Sequence, residues 1–105
     1  MELLVTFRHA QSSNSLKDHI RDKIVKFDKY LIKPEITHVI LNVENGRHCV
    51  EINMAENGHN FLAQSDSHDM YVALDEALAK LERQLKKYKE QIKQHKGHLP
   101  TARLT

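Results

Sequence analysis

The sequence predicts an α/β (α+β) fold: a two-layer β-α-β-β-β-α sandwich, with a four-stranded mixed sheet and two helices packed on one face. Three observations carry this prediction. Two stretches repeat apolar residues at spacings of three and four, the pattern of helices with one buried stripe. Other stretches alternate apolar and polar residues, the pattern of strands covered on one side. Asn-Gly pairs at 45–46 and 57–58 mark tight hairpins between those strands, because both turn positions need positive φ. At 105 residues, with 40% apolar and 29% charged side chains, the chain suits one globular domain.

The elements follow in order. "ELLVTFR" (2–8) opposes Leu3, Val5 and Phe7 to Leu4, Thr6 and Arg8, as a strand does. "QSSNS" then offers Ser13 or Ser15 as a helix cap. Leu16, Ile20, Ile24, Phe27 and Leu31 form the stripe of a first helix, which Pro34 closes. "THVILNV", "CVEINMA" and "NFLAQS" are three antiparallel strands around the two Asn-Gly turns. A second helix starts at "SDSHDMY", capped by Asp66 or Ser67. Its stripe is Tyr71, Leu74, Leu78, Leu81, Leu85, Tyr88 and Ile92, and Gly97 and Pro100 stop it. Residues 1–96 thus form the domain and 97–105 a short flexible tail. The first two strands flank a helix and are expected to pair in parallel.

Several classes of function find no support in these residues. A single cysteine, Cys49, forms no internal disulfide and reads as a small, partly buried hydrophobe. Eight histidines are scattered, and His95 and His98 straddle Gly97, so no metal or other cofactor is expected. Asp75 and Glu76 are adjacent on a helix and diverge, there is no Gly-rich phosphate loop, and the chain is not expected to be an enzyme. The N-terminus lacks the basic and apolar regions of a signal peptide, and no stretch is long and apolar enough to span a membrane. A cytoplasmic protein is expected.

Net charge is only +2, but its distribution is uneven. Residues 17–33 carry six basic and three acidic side chains, 36–79 one basic and seven acidic, and 80–103 eight basic and two acidic. With Leu81 at zero on the second helix, Lys80, Arg83 and Lys87 fall between about −100° and −160°, one stripe on the outer flank. Lys86, Lys89, Lys93 and Lys96 form a row on the other flank, where Glu82–Lys86 is an i,i+4 pair. On the first helix Lys26, Lys29 and Lys33 share the outer side, and Lys23 lies nearer the core margin. Side by side, these stripes would merge into one cationic surface, for which a polyanion is the best-matched partner. A solvated helix face and a coiled-coil seam are the plainer readings of the same residues. Tyr71 and Tyr88 offer rings for base stacking, but their stripe positions favour core packing, with the Tyr88 hydroxyl reaching solvent. Arg8 offers one further phosphate contact.

The stretch "DMYVALDEALAKLERQLKKYKEQ", with "DMY" at 69–71 and "KLERQLKK" at 80–87, resembles the short ribosome hibernation factors of bacteria. That family comprises hibernation-promoting factor and ribosome-associated inhibitor A, or factor Y. The likeness extends more weakly through "SLKDHIRDKIVKFDKYL" and covers about residues 1–96. It implies the same β-α-β-β-β-α fold and a non-enzymatic protein of the cytoplasm, associated with ribosomes. Such a protein docks on the small ribosomal subunit and its ribosomal RNA, in the channel for mRNA and tRNA anticodon ends. It inhibits translation and stores ribosomes under stress or in stationary phase. The family's basic positions match Lys23, Lys26, Lys29, Lys80, Arg83 and Lys87, to which the second row adds Lys86 and Lys89. The ending "GHLPTARLT" lacks the acidic tail of the inhibitor A branch, so the hibernation-promoting branch fits best; that branch works with an accessory ribosome-dimerising factor. Six phosphate contacts would give log K a slope of roughly −4 to −5 against log salt. A monomer is expected off the ribosome. The alternatives are a free-standing double-stranded-RNA-binding domain and a helix-mediated protein-interaction module.

Overall fold

The computed structural model describes the main chain of residues 1–102 and the side chains as far as Lys93. Strand β1 (Glu2–Arg8) leads into helix α1 (Asn14–Val25), and a 3-10 segment (Lys26–Tyr30) follows. Strands β2 (Pro34–Glu44), β3 (Arg47–Glu56) and β4 (His59–Ser67) then precede helix α2 (Met70–Ala102). The sheet order is β1-β2-β3-β4, with β1 parallel to β2 and the other pairs antiparallel. This is the predicted mixed sheet.

Local chemistry accounts for the turns and caps. Both hairpins turn on Asn-Gly, with φ of 50° and 77° at 45–46 and 51° and 80° at 57–58, the left-handed values a type I′ turn requires. Ser13 caps α1, its hydroxyl accepting the Leu16 amide at 3.1 Å. The cap of α2 is Asp69, not Asp66 or Ser67. Its carboxylate accepts the Tyr71 and Val72 amides at 2.8 and 3.3 Å, while residues 66 and 67 still belong to β4.

The core lies between the sheet and the helix layer. Alternation sends Val39, Leu41, Val50, Ile52, Met54 and Ala63 inward to meet Ile20 and Ile24 of α1 and Leu74, Leu78, Leu81 and Leu85 of α2. Leu3, Val5 and Phe7 pack against the same cluster from β1. Ala73 and Ala77 are also fully buried, and such small residues let a helix approach its neighbours closely. The opposite sheet face stays open, leaving Leu4 and Leu62 half exposed.

Three predicted features are corrected. The first helix does not run as one α-helix to Leu31. Lys26 donates its amide to Lys23 and Ile24 carbonyls, the chain tightens, and Phe27 and Tyr30 are buried three residues apart, matching a 3-10 period. Leu31 is only partly buried. Second, α2 continues past Gly97 and Pro100 to Ala102, so neither residue ends it. The expected tail therefore overlaps the helix, and 103–105 lie outside the described residues. Third, Tyr71 is not in the core. It is 41% exposed, and its hydroxyl lies 2.6 Å from Ser15 Oγ, so it joins the start of α2 to the start of α1.

Candidate nucleic-acid interface

A buried carboxylate fixes the junction where the cationic segments meet. Glu56 ends β3 on the helix-facing side and is fully buried. Its Oε2 accepts the Ile32 amide at 2.9 Å and the Tyr88 hydroxyl at 2.5 Å, and its Oε1 accepts the Lys33 amide at 3.0 Å. The chain after the 3-10 segment is thus tied to α2 through one side chain. Tyr88 is buried and donates to Glu56 instead of reaching solvent. Burial, then this hydrogen bond, raise its pKa above the ordinary tyrosine value. A second tie lies alongside: the Tyr30 hydroxyl donates to Glu82 Oε2 at 2.8 Å, which raises the Tyr30 pKa, and desolvation adds to it. Glu82 is engaged by Tyr30, and no Glu82–Lys86 ion pair forms among the described residues.

These ties decide which cations are neighbours. Tyr71, Asp75, Glu82 and Lys89 form the flank of α2 that turns toward α1, bonding Ser15, His19, Tyr30 and the Lys29 carbonyl respectively. Lys86 and Lys93 lie on this flank by helical rotation, at about 140° and 120° from Leu81. Lys26 and Lys29, three residues apart in the 3-10 segment, share one exposed side of it. Lys89 crosses to the carbonyl of Lys29, so the Lys26–Lys29 side and the Lys86–Lys89 row adjoin. Lys23, exposed in the last turn of α1, extends this group. Lys33 has left the helical register for the link to β2, where its amide is held by Glu56.

The other row faces away from α1. Lys80 Nζ donates to the Gln64 carbonyl at 2.7 Å and Gln84 to the Leu62 carbonyl at 2.9 Å, so this flank of α2 overhangs β4. Arg83 and Lys87 are exposed between the two flanks, across the solvent side of the helix. The Lys80–Lys87 row therefore joins the Lys86–Lys89 row over the back of α2, and only the Lys86–Lys89 row reaches the 3-10 segment across the groove. Among the described residues, none of Lys23, Lys26, Lys29, Lys80, Arg83, Lys86, Lys87 and Lys89 forms an ion pair with a carboxylate. Cations free of carboxylates can take up phosphate oxygens without first breaking internal pairs.

Arg8 stands apart from the helices. It lies on the open sheet face, in a cleft of about 550 Å³ with Asn42, Cys49, Glu51 and Gln64, and Lys80 reaches the rim. Amide donors from Asn53 and Gln64 hold the Glu51 carboxyl below the usual range, and the Arg8 charge contributes. Cys49 is free and half-buried. Among the described residues no group of three or more His, Cys, Asp or Glu is placed to hold a metal; the His95 and His98 side chains lie outside them. No described helix is long and apolar enough to cross a membrane.

Sequence reasoning missed Glu56, although its signal was present. It continues the inward alternation of Val50, Ile52 and Met54, so the strand pattern itself places a carboxylate in the core.

Comparison with known proteins agrees with this architecture. Residues 3–93 match the family described as Sigma 54 modulation protein / S30EA ribosomal protein. The ribosome hibernation promoting factor of Escherichia coli K12 is 32% identical over 95 residues, covering 90% of this chain and all of that one. The factor of the same name from Pseudomonas putida is 31% identical over 90 residues, covering 86% and 88%. A ribosomal subunit interface protein from Coxiella burnetii superposes with a TM-score of 0.76 at 26% identity, over 86% of this chain and 99% of that one. The N-terminal domain of Thermus thermophilus Protein Y shares the fold, with a TM-score of 0.75 at 22% identity over 84% and 99%. With nearly its whole length matched in this way, the chain belongs to the S30EA ribosomal protein family, which includes the ribosome hibernation promoting factors.

Proposed function

We propose that the protein binds the small ribosomal subunit in the channel for mRNA and tRNA anticodon ends, and keeps ribosomes inactive in stress or stationary phase. One observation carries the reading: eight cations spread over α1, the 3-10 segment and the back of α2, none paired with a carboxylate among the described residues. Its full-length relatives bear the name ribosome hibernation promoting factor, and that name supports the same reading. The mechanism is occlusion and binding, not catalysis. Lysines act as mobile point charges on RNA phosphates, while Arg83 can clamp one phosphate through two N–H groups. Contacts of this kind read the shape of ribosomal RNA more than its base sequence. The protein then works in the cytoplasm, in company with an accessory ribosome-dimerising factor.

Sucrose gradients of stationary-phase lysate, probed for this chain, test the reading. The protein is expected with the small subunit and with inactive ribosomes, and purified protein is expected to inhibit translation in vitro. Equal affinity for isolated duplex RNA and for assembled subunits would overturn it in favour of a free-standing duplex-RNA binder.

A further inference from the structure

The two edges of the sheet are treated differently. Along β4, Lys80 and Gln84 of α2 occupy the Gln64 and Leu62 carbonyls, so a strand arriving there would have to displace both side chains. At the opposite edge β1 pairs with β2 on one side only. Among the described residues, no main-chain segment outside the sheet bonds to β1. An open edge is a template for pairing, and β1 carries neither a proline nor a lysine to discourage it.

The β1 sequence, ELLVTFR, is complementary to itself about Val5. Laid antiparallel against a second copy with Val5 opposite Val5, it sets Glu2 against Arg8, Leu3 against Phe7 and Leu4 against Thr6. Each pair joins residues on the same side of the combined sheet, so apolar partners meet on the helix-covered side and the charges meet on the open side. The two-fold axis makes the ion pair occur twice. A slip of two residues either way sets Glu2 against Thr6 or Ala10, and both ion pairs are lost.

The surroundings admit such a partner. Met1, Leu3, Arg21, Ile24, Val25 and Asp28 line a cleft of about 480 Å³ between the start of β1 and the end of α1. Met1 is 45% and Val25 65% exposed there. In the Val5-centred register the Phe7 of a second copy lies beside Leu3 at the mouth of this cleft. On this side Arg21 is bonded to Asp18 at 3.2 Å, and Asp28 leaves one further negative charge at the cleft.

We propose that β1 is a homodimerisation edge: a second copy of this chain pairs antiparallel along it, centred on Val5, and joins the two sheets into one of eight strands. The inference stands independently of the ribosome reading, and the cations on the back of α2 remain exposed in the dimer. Two short strands make a small interface, below the ~1,200 Å² of stable complexes, so association is weak and the chain is monomeric when dilute.

Sedimentation equilibrium of the full chain from about 10 µM to about 1 mM tests it, since weak interfaces of this size associate in that range. Wild type is expected to pass from monomer to dimer. Glu2→Arg and Arg8→Glu are each expected to weaken association about tenfold, because each sets like charges opposite one another twice, and the double variant to restore it. Mixed isotope labelling is expected to show Val5–Val5 and Leu3–Phe7 contacts between copies, and circular dichroism checks that each variant is folded. A monomer at the highest concentration, a dimer indifferent to the single charge changes, or a double variant no better than the singles would overturn the proposal.

Discussion

Replacing Glu56 by glutamine tests whether one buried carboxylate holds the cationic segments together. In the wild type its two oxygens accept three hydrogen bonds, from Ile32 N, Lys33 N and Tyr88 Oη. Glutamine keeps one oxygen acceptor and turns the other position into an N–H₂ donor. Placed with least harm, the oxygen keeps the Ile32 and Tyr88 bonds, and the new donor faces the Lys33 amide. One buried N–H then lacks an acceptor, at a cost of about 1–3 kcal/mol. Taking about 2 kcal/mol, and about 4–8 °C per kcal/mol for a domain near this size, the melting temperature should fall by about 8–16 °C. Thermal and urea unfolding at neutral pH measure it, with the urea m-value expected to stay unchanged. A melting temperature within about 2 °C of wild type would refute the reasoning, since a loss that small implies no stranded donor.

Two further outcomes follow from the same structure. Tyr30 and Tyr88 hold their protons above the ordinary tyrosine value, whereas in the unfolded chain they release them near pH 10. The folded state then binds more protons, so the stabilisation is fully present below about pH 10 and is lost as pH rises beyond it. Urea midpoints from pH 8 to 11 are expected to fall at the alkaline end for wild type and to stay flatter for Tyr30→Phe with Tyr88→Phe. Asp69→Ala, which removes the α2 cap, should cost about 1 kcal/mol, or about 4–8 °C, with Ser67→Ala much milder. Equal effects at 67 and 69 would contradict the cap assignment.

Features set by neighbours in sequence were legible before the fold was known. The Asn-Gly turns, the alternating strands and the leucine stripe of α2 each follow from a local period, and together they fixed the element order. The end of α1 was not legible, because the switch to a 3-10 segment depends on where Phe27 and Tyr30 meet the core. Tyr71 misled because it lies at about 80° from Leu81, on the flank with Glu82 and Lys89, while Met70 packs on the core at that turn; the Tyr71 ring packs against His19 instead. The charged rows were visible as helical periods, yet their adjacency depends on where α2 lies. Because α2 packs over β3 and β4, its Lys86–Lys89 flank, not its Lys80–Lys87 flank, meets the 3-10 segment. Glu56 was legible in principle, since strand alternation alone sent it inward.

Salt-dependent co-sedimentation with ribosomes tests the central claim, that both cationic rows grip ribosomal phosphates. Wild type is expected to give a slope of log K against log salt of roughly −4 to −5. Replacing Lys80, Arg83 and Lys87 by glutamine, or Lys26, Lys29 and Lys86 in a separate variant, should flatten that slope by roughly 2–3, at about 0.7–0.9 per lost contact. Ribosome binding that keeps its affinity and slope in either neutralised variant would contradict the account.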